Sequence, residues 1–350
     1  MSALTAPANI LLTGATGFVG NHILRRLIET SFSVKAAVRS DSKAKFLTSF
    51  FQSYVDSGKL TFVNVPDITA PGAFDEAVKG VDGVIHGASP LESNDPQADP
   101  QELVQPAVHG TVGILDSALK NGSGIKRIVI TSSIVTLYEP HEPGHIYSDA
   151  DWFNTGPKLI AQHGRNTPSF VKYMASKVLA EQAAWKWVED NKPSFQVVTT
   201  MPSWVFGKSE TLSPEHFRKE SSNNTLLRGL VGVKSGELQE KDYLTITNFT
   251  DVVDVAEGHL KALTVPEAAG RRLLLLGASV SWQDVFDILN ANPVPGVTVP
   301  VGTPGNGKNA VPTHIFDHET PAKVLGLTYR PAEQTIRETL LQAVELGWKQ

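Results

Sequence analysis

Tyr173 and Lys177 stand four residues apart in a stretch, 169–189, with strong helical spacing, which sets both side chains on one face, one turn apart. Such a pair suits proton transfer to an oxygen that is gaining negative charge. A phenol has a reference pKa near ~10 and donates poorly at neutral pH unless it is tuned. An ammonium one turn away favours the phenolate and so acidifies the phenol. Of the six tyrosines, Tyr173 alone has a lysine four residues on. A short β-rich run, 128–130, ends in Thr131-Ser132-Ser133, where a hydroxyl can hold the same oxygen. Two serines at a strand end are by themselves ordinary polar termination. Beside a Tyr/Lys pair they become candidates, and Ser133 is preferred to Ser132.

A second group binds rather than reacts. Thr13-Gly14-Ala15-Thr16-Gly17-Phe18-Val19-Gly20 lies between the apolar run 10–12 and an amphipathic stretch, 18–30. Glycines spaced by three in that setting match the dinucleotide fingerprint: a tight turn, close approach of backbone to a pyrophosphate, and close helix packing. The helix start adds free N–H groups. The next β-rich run, 34–38, is followed by Arg39-Ser40, with Lys43 soon after and no acid at its tip. Dinucleotides without a 2′-phosphate usually meet an acid there. Arg39 can stack on adenine and pair with a 2′-phosphate, and Lys43 adds charge, so NADP(H) is expected.

The elements that must position these residues follow from periodicity. Helical spacing recurs at 41–57, 74–78, 101–120, 169–189, 251–263, 282–289 and 331–346. β-rich runs fall at 60–65, 81–86, 128–130, 196–200 and 272–276. Thr167 is the expected cap of the 169–189 helix, with Pro168 in its first turn. Segment 292–312, rich in Pro and Gly, reads as loop. Alternating strands and helices predict an α/β fold: a Rossmann-type, doubly wound parallel sheet with a smaller, mixed C-terminal substrate lobe. The expected division is 1–202 plus 246–277 for the nucleotide domain, and 203–245 plus 278–350 for the lobe. Ligands of such sheets sit beyond the carboxyl ends of the strands.

Composition narrows the partners. The 350 residues are 41% hydrophobic, with a net charge of -5 and no cysteine. Mild acidity argues against nucleic acid and anionic membranes. Absence of cysteine removes disulfides, thiolate metal sites and thiol nucleophiles. The first nine residues lack the basic and apolar regions of an export signal, and no apolar run is long enough for a bilayer. A soluble, cytoplasmic protein is expected, monomer or homodimer, with a small-molecule partner.

In their order and spacing, TGATGFVG, the TSS at 131–133 and the YMASK at 173–177 resemble the extended branch of the short-chain dehydrogenase/reductase superfamily over nearly the whole chain. Within it the chain is most similar to the dihydroflavonol and cinnamoyl-CoA reductase group, and to fungal NADPH-dependent carbonyl and methylglyoxal reductases. Val65-Pro66-Asp67-Ile68, His86-Gly87-Ala88-Ser89-Pro90, Pro106-Ala107-Val108-His109-Gly110-Thr111 and Glu181-Gln182-Ala183-Ala184-Trp185 carry that similarity. The resemblance implies a catalytic triad of Ser133, Tyr173 and Lys177. It puts Asp67 and Ile68 beside adenine, Ala88, Ser89 and Thr131 along the cofactor, and Pro202 and Val205 near the nicotinamide. His109 departs from the family, where an asparagine helps fix the proton-relay network.

Other candidates read as structural. His141, Glu142 and His145 match no firm ligand spacing, and no metal is expected. Their loop, with Trp152 and Phe153, is expected to border the substrate pocket, joined by Trp204, Phe206 and Phe217. Asp251 and Asp254 sit at a helix start, where acids favour the dipole, rather than in a relay with His259. The expected activity is NADPH-dependent reduction of an aldehyde or ketone. A nucleotide-sugar epimerase or dehydratase of the same branch is the nearer alternative, and a non-catalytic dinucleotide sensor the more distant one.

Overall fold

A computed structural model describes residues 3–89, 95–211 and 222–350. Seven strands, β1 (Asn9–Thr13), β2 (Ser33–Val38), β3 (Leu60–Asn64), β4 (Gly83–His86), β5 (Arg127–Thr131), β7 (Gln196–Pro202) and β10 (Arg272–Leu275), form one sheet in the order β10-β7-β5-β4-β1-β2-β3. Every pairing in it is parallel. The inner strands are buried on both faces and read as apolar runs, whereas the edge strand β3 is half-buried or exposed along most of its length. On one face α1 (Phe18–Glu29), α2 (Asp41–Asp56) and α7 (Val252–Thr264) close a core around Leu12, Leu24, Phe51, Val129 and Leu263. On the other, α3 (Gln101–Asn121) and α5 (Ser169–Asn191) close a core around Leu11, Ile114, Ile128 and Trp187. Strand order reverses between β1 and β4, so the crevice that accepts ligands in such sheets opens there.

Shorter strands build a second layer. β8 (Trp204–Phe206), β9 (Ile246–Asp251) and β11 (Ala278–Ser281) form a three-stranded sheet, with β8 parallel and β11 antiparallel to β9. Against it lie α6 (Asn223–Ser235), α8 (Trp282–Ala291) and α10 (Ala332–Glu345), sharing a core of Leu226, Phe249, Val285 and Ile336. β6 (Ile146–Tyr147) pairs with β12 (Ile315–Phe316). α4 (Thr155–His163) and α9 (Glu319–Leu325) complete the described elements.

The structure departs from the sequence reading at several points. The helix expected at 74–78 is a run of turns between Gly72 and Gly80, at φ +69° and +71°. Phe74, Ala77 and Val78 are buried there, so their helical spacing reflects core contact without a regular helix. Pro168, not Thr167, occupies the cap position of α5 with extended ψ of 139°, and Lys172 N–H donates to its carbonyl. β9, which the expected division places in the nucleotide domain, pairs among the described residues with β8 and β11 of the small sheet. From the C-terminal segment, Leu325 of α9 returns to the main core.

Candidate active site

The glycine turn is fixed by close approaches. Gly14 has φ +78°, and a Cβ there would lie 2.8 Å from the Gly87 carbonyl carbon and 2.9 Å from Ala88 N. A Cβ on Gly20 would lie 2.0 Å from Gly14 O, so no larger residue lets α1 seat on the turn. Gly17 N–H donates to Gly14 O, and Gly17 caps α1 without a side-chain bond. No acid occupies the first turn of α1, which leaves the N–H groups around Phe18 and Val19 for an acceptor from outside the helix. Ala15 is fully buried, and Thr16 is half-buried at the mouth of the turn. The residues present therefore fit a pyrophosphate.

A line of contacts runs from this turn to the Tyr/Lys pair. Ala88 N–H donates to Thr13 Oγ1 at 3.0 Å, and Thr13 Oγ1 lies 3.0 Å from His86 Nδ1. Burial pushes the His86 pKa down to about 4, which keeps the ring neutral and able to accept from Thr13. One residue past Ala88, the Ser89 hydroxyl accepts from Lys177 Nζ at 2.9 Å. Lys177 Nζ is 5.7 Å from the centre of the Tyr173 ring on the same face of α5. Burial of the ammonium lowers its pKa to about 8.

The serine end of β5 divides its labour. Ser132 Oγ donates to Glu181 Oε2 at 2.6 Å, a buried carboxylate that also accepts from Thr199 and from Arg272 Nε at 2.9 Å. Burial alone would raise the Glu181 pKa, but the Arg272 charge and these hydrogen bonds outweigh it and hold the group ionised. Ser133 turns away in extended conformation, and its oxygen accepts from Val135 N–H, which leaves its proton to donate elsewhere. Ile134 and Val135 pack in one cluster with Met174, Val178 and Tyr173, bringing the β5 end against α5. Thr131 Oγ1 points inward instead. It shares His259 Nε2 with Thr200 Oγ1, both at 2.9 Å, while His259 Nδ1–H donates to Val255 O.

The outer positions are also located. Arg39 and Lys43 are exposed at the end of β2 and the start of α2. Asp67 is exposed, and the Thr69 hydroxyl and N–H, with Arg39 contributing, hold its carboxyl below the usual carboxylate range. Ile68 sits against Gly110 of α3. Pro202 ends β7 opposite Leu275, and Val205 is buried in the main core. His109 is exposed, and among the described residues no hydrogen bond joins it to Tyr173 or Lys177. Asp251 caps α7 by accepting from Val253 N–H, and also takes the Thr335 hydroxyl. Asp254 accepts from Arg330 N–H, so neither acid forms a relay with His259.

The expected pocket aromatics are largely core. Phe153 and Phe206 are buried, and Trp152 stacks under the Arg272 guanidinium at 3.5 Å. Trp204 is exposed, and Phe217 lies outside the described residues. Sequence reasoning missed two supporting groups. Lys172 is buried, and its ammonium donates to the carbonyls of Pro96, Ala98 and Arg165, tying loop 95–98 to the start of α5. Glu181 continues the Tyr173–Lys177 face by one more turn of four, a spacing that would have exposed it.

A wholly parallel seven-stranded sheet with a glycine turn at its order reversal defines a Rossmann-type α/β protein. The profile of the NAD dependent epimerase/dehydratase family matches residues 10–275, and the chain belongs to that family. It is 31% identical to the Aspergillus niger protein named ketoreductase azaE, over 96% of this chain and 97% of that one. It is 30% identical to Saccharomyces cerevisiae GRE2, named an NADPH-dependent methylglyoxal reductase, over 96% and 98%. Among solved structures, yeast Gre2 complexed with NADPH superposes with a TM-score of 0.80 at 28% identity, covering 96% of this chain and 98% of that one. Gre2 from Candida albicans, also in complex with NADPH, gives 0.82 at 25% identity, covering 98% and 100%.

Proposed function

We propose that the chain reduces an aldehyde or ketone to the alcohol, with NADPH as hydride donor. The observation that carries this reading is the contact line from Gly14 through Ala88 and Ser89 to Lys177, with Tyr173 one turn away. NADPH, when bound, supplies a hydride to the carbonyl carbon. Gly14, Thr16 and Gly17, with the first amides of α1 at Phe18, Val19 and Gly20, take the pyrophosphate. Arg39 and Lys43 take the 2′-phosphate, Asp67 and Ile68 flank the adenine, and Pro202 and Val205 belong to the nicotinamide end. Ser133 and Tyr173 donate hydrogen bonds to the carbonyl oxygen, and Tyr173 gives up its proton as that oxygen becomes an alkoxide. Lys177, charged at neutral pH, keeps the phenol acidic and holds the ribose. The names of azaE and GRE2 support a carbonyl reductase and leave the substrate open.

A panel of aldehydes, diketones and aryl ketones, followed by NADPH absorbance, tests the reading. Carbonyl-dependent loss of NADPH is expected, whereas an epimerase would return its cofactor unchanged. Binding of NADPH without turnover on any member of the panel would contradict it.

A further inference from the structure

The loop after β5 carries a cluster that the activity does not use. His141 and His145 flank Glu142-Pro143-Gly144, a turn closed by His145 N–H to Glu142 O at 3.2 Å, with Gly144 at φ +90°. Proline followed by a glycine at positive φ is the type II pattern, and it brings residues four apart onto one side without a helix. The two imidazoles stack, with centres 3.8 Å apart and planes 24° apart. Both turn Nε2 toward one oxygen, Asp151 Oδ1, at 3.1 Å from His141 and 2.9 Å from His145. The Tyr147 ring stands edge-on against both, and its hydroxyl is anchored on Glu139 O at 2.7 Å.

Asp151 is held from behind. Its Oδ2 accepts from Ser148 N–H at 2.7 Å, which aims Oδ1 at the histidines. Its carbonyl accepts from Arg272 Nη1 at 2.7 Å, as does that of Asp149, and Trp152 stacks on the same guanidinium. Sequence spacing pairs the histidines with Glu142, which is exposed; the fold supplies Asp151 instead.

We infer that His141 Nε2, His145 Nε2 and Asp151 Oδ1 form a zinc site, with water as the fourth ligand. The three atoms lie within 4.8 Å of one another. Tetrahedral zinc, with ligands at about 2.0–2.2 Å, needs them about 3.3 Å apart. Small rotations of the two half-exposed imidazoles supply the difference. Two imidazoles and one carboxylate suit zinc and exclude magnesium and calcium, which take oxygen ligands. The supports of Asp151 are the outer hydrogen bonds that fix a metal ligand's direction. The ion would cross-link the 139–153 loop through Arg272 to Glu181 and the end of β5.

Calorimetric titration of chelator-stripped, full-length protein with zinc chloride tests this. One equivalent of zinc should bind and raise the Tm, and magnesium should do neither. His141→Ala, at an exposed position, should weaken zinc binding at least about tenfold and abolish the Tm rise. Asp151→Asn should also weaken it while leaving both imidazoles. No zinc heat from the unaltered protein at 100-fold excess would overturn the inference. So would binding by His141→Ala as tight as that of the unaltered chain, which would assign the ion to other histidines.

Discussion

At the scale of single residues, the candidate groups are legible in the sequence where their spacing is local. The Tyr173–Lys177 pair and the glycine turn need only helical geometry and one strand-to-helix junction. The choice between Ser132 and Ser133 turns on a residue 49 positions away, Glu181, which accepts the Ser132 hydrogen bond. The partner of His141 and His145 was likewise hidden, because a turn rather than a helix aligns them. Two predictions belong here. Arg39→Ala should raise the KM for NADPH about tenfold or more, the size of a lost charge-assisted hydrogen bond, with KM for NADH little changed. An equal rise for both cofactors would take the 2′-phosphate away from Arg39. Lys177 loses its proton through about pH 8, so kcat/KM for carbonyl reduction should fall above that pH. A profile flat to pH 9.5 would remove the lysine from proton transfer.

At the scale of elements, the long helices and the seven main strands were readable because each exceeds a full period of its pattern. Strands β6, β8 and β12 have two or three residues, too few to show alternation, and pairing partners far along the chain define them. The run 70–80 misled for the opposite reason: three buried side chains mimic a helix that flanking glycines prevent. Segment 223–235, with glycines at 229 and 232, is held as a helix by packing of Leu226, Leu227 and Leu230 in the lobe core. The Glu181–Arg272 pair joins α5 to β10 with both groups buried. Glu181→Gln leaves the Arg272 charge uncompensated, so it should cost about 3–5 kcal/mol in a denaturant titration. A loss below about 1 kcal/mol would show that the pair does not hold these elements together.

Across the whole molecule, burial of ionisable groups sets the response to acid. His22, His86 and His259 are each driven down to about 4 by desolvation. Between about pH 4 and 6.5 the unfolded chain takes up protons at these histidines that the native chain refuses, so stability falls as the pH falls through that window. Asp254, raised to about 6, and Asp251, also raised, both by desolvation, oppose this. Three histidines against two acids leave a net uptake on unfolding. The slope should be at least about 1.4 kcal/mol per pH unit near pH 5. Scanning calorimetry from pH 6.5 to 5 should show a falling Tm, with a shallower fall in His259→Gln, and a constant Tm would contradict the assignment of neutral buried rings. Among the described residues no helix is long and apolar enough to cross a membrane.

If Tyr173 gives the proton to a carbonyl oxygen reduced by NADPH, as proposed, Tyr173→Phe removes that proton donor and nothing else. The phenyl ring keeps its packing beside Met174 and Val178 and loses only the hydroxyl. Measured on any carbonyl the enzyme turns over, kcat should fall at least about a hundredfold, while the NADPH Kd from fluorescence titration stays within about threefold. A variant that binds NADPH normally and keeps more than a tenth of the original kcat would take the proton transfer away from Tyr173.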